Sequence, residues 1–420
     1  MKVLSLFCRI PAGHPLRGIK NDKIKSVNFE LETHHCEIQR RVREFCDREI
    51  IPRAQENDLK EVFPWDLVPK AAPLGLFGIV FPKKYGGAEM DSVSLCLILE
   101  ELGRADASFA LTIESHNGLC TNHIYMHGSE EQRRKYLPRL VSGEALGAWA
   151  LTEPQAGSDA AGLKTKAVLE GGRWVINGSK TFTTQGSVAG VYVIFAQTSD
   201  SAGGGRGLTA FVMEKGTPGL SIGKIEKKMG LHASDTAQLH LHDVKVGPEQ
   251  VVGRVGRGFR DAMKVLDAGR VAISGISVGI ARGSLEEGLK RVRERKEEYG
   301  IRPDNPGLTV AQRTLAQLAS EIDAARLLYL RAACLMDQGR PFSKEASMAK
   351  LISGDLAMKA PTEILDLIGP EGASLDCPVQ RFFRDAKLYQ IGEGSTQIQQ
   401  LVISRHLLNE PVREKELAHA

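Results

Sequence analysis

The chain has 420 residues, 42% hydrophobic and 25% charged, with 55 basic against 51 acidic residues and a formal net charge of +4. That length suits two or three domains, the composition excludes a disordered or fibrous chain, and so mild a charge argues for neither a nucleic-acid nor an anionic-membrane partner. The seven cysteines are scattered, odd in number and without a CxxC pair, which speaks against a disulfide framework or a zinc site and for a reducing compartment.

Residues 1–28 differ in character from the rest of the chain. Lys2, Arg9, Arg17, Lys20, Lys23 and Lys25 stand against one acid, Asp22, and the apolar stretch 3–8 is too short for a secretory core. A disordered extension is expected, with a mitochondrial presequence as the alternative. Residues 29–147 read as several helices of moderate length. Leu95, Ile98, Leu99 and Leu102 form an i, i+3, i+4, i+7 stripe. Val68, Ala72 and Leu76 repeat at four-residue spacing but are cut by Pro69 and Pro73. Pro52, Pro64 and the Tyr85-Gly86-Gly87 turn add punctuation.

Between 148 and 254 the character changes. The β-rich runs 173–177, 191–197, 208–214 and 238–246 are separated by Gly171-Gly172, Asn177-Gly178, the glycines at 203–205 and Pro218-Gly219. The spacing predicts an antiparallel β domain rather than alternating βαβ units. His240 and His242 alternate with Leu239 and Leu241; with no third ligand in sight they read as an exposed strand face, and no metal is expected. From 255 to 411 the helices are long. Ile273, Ile276 and Ile280 share a face in a segment running to about Arg295, followed by 309–338 and 342–368. A last helix starts near Thr396, where Thr396 and Gln399 suggest a capping box. The tail 412–420 is polar. No apolar run reaches the roughly 18 residues needed to span a bilayer.

Two local sequences carry the functional signal. The first is Trp149-Ala-Leu-Thr-Glu-Pro-Gln-Ala-Gly-Ser-Asp159. The second is Arg384-Asp-Ala-Lys-Leu-Tyr-Gln-Ile-Gly-Glu-Gly-Ser-Thr-Gln-Ile-Gln399. Both resemble the signature segments of the acyl-CoA dehydrogenase family, with support from 82–87 (PKKYGG), 228–236 (KMGLHASDT) and 266–270 (LDAGR). The resemblance covers roughly residues 29 to 410. It implies an α+β fold: an N-terminal helical domain (29–147), a middle antiparallel β domain (148–254) and a C-terminal four-helix bundle (255–411). It further implies FAD between the domains, a homotetramer, an acyl-CoA substrate and an electron-transfer flavoprotein as partner. The expected location is the cytoplasm, or the mitochondrial matrix in a eukaryote.

Removing an α proton from a thioester needs a base, a polarised carbonyl and an acceptor for the β hydride. No side chain accepts a hydride. The nearest thing to a Rossmann loop, Gly253-Arg-Val-Gly-Arg-Gly258, has the wrong spacing, so FAD is the fitting cofactor. Glu393 matches the family's catalytic carboxylate; a lone glutamate would otherwise read as a capping or solvated residue. Some relatives place the base beside the arginine of the LDAGR-like segment, where this chain has Gly269. Gly392 stands where the family has a bulky residue, which widens the pocket. Leu151, Thr152, Gly157 and Ser158 match one flavin-contacting stretch. Phe182, Thr183 and Thr184 match another, with Phe182 replacing the usual tryptophan. Ser395 and Gln397 open a helix whose free N–H groups suit phosphate oxygens. Arg295 and Gln312 resemble FAD contacts given by a neighbouring subunit. The loop 366–372 departs from the family at Asp366 and Pro370. For the substrate, the resemblance implicates Ser158, Asp267, Arg270 and Gly394; Asp267 and Arg270 also suit a simple intrahelical pair.

Ala110 occupies the position of an arginine in relatives that take dicarboxylic thioesters, which weighs against glutaryl-type substrates and leaves short or branched acyl groups favoured. Nearby Glu114 replaces a small polar residue; it either lines the acyl pocket, favouring a hydroxyl- or amino-bearing chain, or faces solvent or a basic partner. A carrier-linked desaturase or an oxidase on the same scaffold, and a catalytically idle interaction subunit, are the competing readings.

Overall fold

A computed structural model describes residues 30–198 and 207–409; the expectations for 1–28 and 412–420 lie outside the described residues. The N-terminal part is helical. Helix α1 (Thr33–Phe45) buries Ile38, Val42 and Phe45 and passes through a π-helical turn, Cys46–Ile50, into α2 (Ile51–Lys60). The prolines confine α3 to Val68–Ala71. Asp91 caps α4 (Ser92–Ala105) by accepting from the Ser94 amide, and every residue of α4 is buried. Asp106 then breaks the helix and caps α5 (Ala107–Glu114). A second π-helical turn, Ser115–Thr121, leads to α6 (Asn122–His127) and α7 (Glu130–Val141).

Eight strands follow among the described residues: β1 (Gly147–Ala150), β2 (Lys166–Glu170), β3 (Arg173–Thr184), β4 (Val191–Gln197), β5 (Leu208–Glu214), β6 (Leu220–Ile225), β7 (Thr236–Val246) and β8 (Val251–Val252). They form one sheet in the order β6-β7-β3-β2-β4-β5-β8, with β1 beside β4. The sheet is mixed rather than purely antiparallel. β1 runs parallel to β4, and β2 meets β4 in parallel at Lys166 and Gln197. β1 enters from the helical part, not from a hairpin, and all four of its residues are buried, which is what parallel placement inside a sheet demands. His240 and His242 lie exposed on β7.

Helix α8 (Gly258–Glu294) is about 55 Å long and packs against α4. Their backbones approach so closely that a Cβ on Gly275 or Gly279 would meet the Cys96 or Glu100 carbonyl at 2.7 or 2.2 Å. Helices α9 (Val310–Asp337), α10 (Ser343–Ile368), α11 (Pro378–Ile391) and α12 (Thr396–Asn409) complete the C-terminal part. Buried charges hold α4, α8 and α9 in register. Glu100 binds Arg282, Arg326 (3.0 Å) and Tyr329, and Glu101 binds Arg104 and Arg282, each at 3.0 Å. Such charges are tolerated in a core only when paired like this.

Candidate active site

Helix α11 ends at Ile391, and the chain turns at Glu393 (φ +54) and Gly394 (φ +98). A left-handed glutamate costs roughly 1–2 kcal/mol, so the turn must be held. The Gly394 carbonyl accepts from both Lys350 Nζ and Gln399 Nε2 at 2.8 Å. A Cβ on Gly394 would lie 2.7 Å from Gln399 Nε2, so only glycine fits. The capping box expected from Thr396 and Gln399 is not formed: the Gln399 amide is spent on this carbonyl, and Gln399 N bonds to Ser395 O. Helix α11 is itself tethered, with Tyr389 Oη donating to Ala107 O (2.7 Å) and Arg381 to Ala105 O (3.0 Å).

These tethers bring the C-terminal ends of α5 and α11 together. The Glu393 carboxyl lies over α8 at Gly269, where a Cβ would come within 2.5 Å of its Oε2. Beside it stands Glu114, fully buried at the last position of α5; it is neither solvated nor paired with a base. As two carboxylates the pair lacks a donor, and both Glu114 oxygens and Glu393 Oε2 are without partners. One proton on Glu114 supplies the missing hydrogen bond. Burial, then the adjacent Glu393, pushes Glu114 well above the usual carboxylate range. Burial also raises Glu393, while the Glu114 hydrogen bond and the Lys350 and Arg270 charges favour its ionised form. Desolvation lowers Lys350 to about 8. Arg270 is buried and bound to Asp267 at 2.6 Å, with its Nε unpartnered.

The second cluster lies where β1 leaves the sheet. Lys180 on β3 is fully buried and donates to Glu153 (2.7 Å) and to Leu151 O (3.1 Å). Glu153 also accepts from the Lys164 and Thr165 amides. Thr181 N bonds to Thr152 O at 2.9 Å. Leu151 and Thr152 are thus fixed against Phe182, Thr183 and Thr184. A register shift between Lys180 and Thr183 gives Phe182 a φ of +51 and turns its side chain outward, 62% exposed. Gly157 and Ser158 form an exposed turn, with open space around Gly157. Gln185 Nε2 reaches Thr112 O (2.9 Å), joining this strand to α5 two residues before Glu114. Trp149 Nε1 and Thr183 Oγ1 are buried without partners. An outward aromatic ring, followed in the chain by an unpartnered Thr183 hydroxyl, together with an open glycine turn at Gly157, fits a planar ring with polar edges, as FAD has.

Ser395 and Gln397 open α12, directly after the Glu393 turn. Arg295 and Gln312 are elsewhere. Arg295 follows α8, roughly 39 Å along the helix from Gly269, and pairs with Glu371 at 2.8 Å. Gln312 makes the capping box of α9 with Thr309. Within one chain neither reaches Glu393. Sequence reasoning passed over Lys180, Glu153 and Lys350. Its available signals were a lysine on the inward parity of Trp174 and Ile176, and a lysine within the buried stripe Ala346, Ser353 and Ala357.

Comparison with known proteins accounts for this arrangement. Residues 32–144, 148–244 and 256–408 match the N-terminal, middle and C-terminal domains of acyl-CoA dehydrogenase. The chain is 42% identical over 379 residues to a short-chain specific acyl-CoA dehydrogenase of Clostridium acetobutylicum, covering 90% of this chain and 99% of that one. A chain in a structure described as the electron transferring flavoprotein of Acidaminococcus fermentans is 39% identical, with a TM-score of 0.86 over 91% of this chain and all of that one. A glutaryl-CoA dehydrogenase from Mycobacterium smegmatis in complex with FADH2 is 28% identical, with a TM-score of 0.84 over 91% and 97% of the two chains. The chain belongs to the acyl-CoA dehydrogenase family, FAD-dependent oxidoreductases that act on a CH–CH bond of an acyl-CoA thioester.

Proposed function

We propose that this chain dehydrogenates a short- or branched-chain acyl-CoA across its α and β carbons, with Glu393 as the base. The observation that carries the reading is the buried Glu393 carboxyl over Gly269, kept as the ionised member of its pair by Glu114, Lys350 and Arg270. A carboxylate in so dry a place is a stronger base than in water. Gly269 offers no side chain for the alternative base position. The Glu393 and Gly394 amides, in a left-handed turn, are free to polarise the thioester carbonyl. FAD, once bound, supplies the acceptor at N5 for the β hydride, which no side chain offers. Leu151, Thr152, Gly157, Ser158, Phe182, Thr183 and Thr184 hold its ring, and Ser395 and Gln397 hold its polar tail. Arg295 and Gln312, too distant in their own chain, serve the site of a neighbouring subunit in a homotetramer. Ser158, Asp267, Arg270 and Gly394 receive the thioester, and the electrons pass to an electron-transfer flavoprotein.

The test is anaerobic titration of the purified flavoprotein with butyryl-CoA and isobutyryl-CoA, alongside Glu393→Gln. Wild type should lose its flavin absorbance, and the variant should keep flavin and fail to bleach. A variant that bleaches at the wild-type rate removes Glu393 from the role.

A further inference from the structure

Glu114 adjoins the base, but a plain acyl chain gives its carboxyl no partner of its own. Its side chain is fully buried, and neither oxygen has a hydrogen-bond partner. Its neighbour is another carboxyl, Glu393, and the two cations that act on Glu393 are already engaged. Lys350 Nζ is bound to the Gly394 carbonyl, and Arg270 to Asp267. Were Glu114, Glu393 and Asp267 all ionised, three negative charges would face two positive ones, so Glu114 ionises only when a further cation enters the site. Gly118 leaves room for this carboxyl: a Cβ there would sit 2.5 Å from Glu114 Oε1. The π-helical turn that begins at Ser115 is held by Asn117, which bonds to Leu76 O, Ile113 O and Ile79 N. The carboxyl is thus held in place next to the base.

We infer that Glu114 selects acyl thioesters whose chain carries a cationic nitrogen beyond the β carbon. The inference rests on Glu393 being the base, because an acyl group with its α carbon at Glu393 extends the atoms beyond it past the adjacent Glu114. A buried, unpartnered carboxyl repels an acyl carboxylate, and Ala110 supplies no arginine to offset that. A wholly apolar chain offers Glu114 no partner besides Glu393 and leaves its second oxygen unsatisfied, the situation by which a polar site rejects an analogue lacking the matching group. A hydroxyl partners one oxygen and leaves the charge deficit. A cationic chain supplies the charge and lets Glu114 ionise without a proton shared from Glu393.

The experiment compares two thioesters of the same shape on the FAD-loaded enzyme: 4-trimethylammoniobutyryl-CoA and its uncharged isostere 5,5-dimethylhexanoyl-CoA. Butyryl-CoA is the reference, and wild type, Glu114→Gln and Glu114→Ala are assayed. Wild type should favour the cation in kcat/KM, and both substitutions should cut that preference roughly ten- to a hundredfold. Each variant is scored by the ratio of its kcat/KM for the two probes, in which any change in base strength cancels, and flavin content and Tm report that it is folded. Equal use of the two probes by wild type, a preference for the neutral one, or exclusion of both while butyryl-CoA is oxidised overturns the inference. So does a cation preference that survives in both variants. Failure of wild type to oxidise butyryl-CoA or either probe refutes the base reading instead.

Discussion

Replacing Gly269 by alanine separates the position of the base from the stability of the protein. The new methyl carbon would stand 2.5 Å from Glu393 Oε2, and ordinary contact begins near 3.4 Å, so the carboxylate must retreat by about 0.9 Å. It has little freedom to do so. Glu114 flanks it, and its backbone is locked in a left-handed turn by two hydrogen bonds to the Gly394 carbonyl. A displacement of about 1 Å at a reacting group costs on the order of 10²-fold in rate, near 2.7 kcal/mol of barrier. Stability should move the other way. Gly269 lies inside α8, where glycine to alanine contributes up to about 1 kcal/mol to a helix, and the other near contact, Leu119 Cδ2 at 3.5 Å, is unstrained. The assay is stopped-flow flavin bleaching at saturating butyryl-CoA, with thermal denaturation of the same FAD-loaded sample. Bleaching within about threefold of wild type would refute this placement of the base. A rate loss accompanied by a fall in Tm or by flavin release would show that the methyl disturbs packing instead.

Four further outcomes are expected. Glu393 is held above the usual carboxylate range by burial and is eased downward by the Glu114 hydrogen bond; activity needs it ionised and falls as pH drops through its pKa, so Glu114→Leu should move the acid limb of the bleaching-rate profile to higher pH, and an unmoved limb would deny the hydrogen bond. Because both carboxyls titrate above their unfolded values, the folded state retains protons that the unfolded state releases, and stability is lost as pH rises from the ordinary carboxylate range through the folded pKa; Glu114→Gln should raise Tm more at pH 8 than at pH 5. Lys180→Met leaves Glu153 buried and unpaired, at about 3–5 kcal/mol, and should lower both Tm and flavin content, whereas adding Glu153→Gln should restore much of the Tm; no recovery would deny that the lost pairing is the cause. Arg295→Gln removes only an exposed, solvent-screened pair with Glu371, so Tm should hold while flavin is released several-fold more readily on dilution; unchanged release would remove Arg295 from cofactor binding.

The long C-terminal helices were legible because they are periodic: α9 is capped by Thr309, where the 309–338 segment was expected to begin, and α8 ends beside Arg295. Strands β4, β5 and β7 were legible as β-branched and aromatic runs. β2 and β6 were not, because their outward faces leave most of Lys166–Glu170 and Leu220–Ile225 exposed, so little apolar signal remains. β1 only overlaps the start of the signature segment, and its four residues carry no alternation. At the site, Glu393 was readable from its motif and from the absence of a side chain at Gly269. Lys350 and Lys180 were not, because a lysine at an inward position reads as an error in the pattern until its partners, the Gly394 carbonyl and Glu153, are seen.

Glu114 was ambiguous in the sequence for a related reason: its chemistry is set by a helix near the other end of the chain. Neither carboxyl alone is unusual. What perturbs them is that α5 and α11 end at the same place, and that convergence depends on a few buried polar contacts. Tyr389 binds the carbonyl of Ala107 at the start of α5, Arg381 that of Ala105 at the end of α4, and Gln185 that of Thr112 near the end of α5. The first two fix α11 to the α4–α5 junction; the third fixes α5 to the strand that carries Phe182, Thr183 and Thr184. The separation between the two carboxyls, and between Glu393 and that strand, is therefore set by one short helix held at both ends. Ten residues before Glu114, the buried Arg104 anchors the preceding helix to Asp47 and to Glu286 of α8. On the proposed reading, the base strength of Glu393 is a property of that anchored frame more than of its own loop, and one glutamate at the end of α5 would alter which acyl chains the site accepts while the fold stays that of the family.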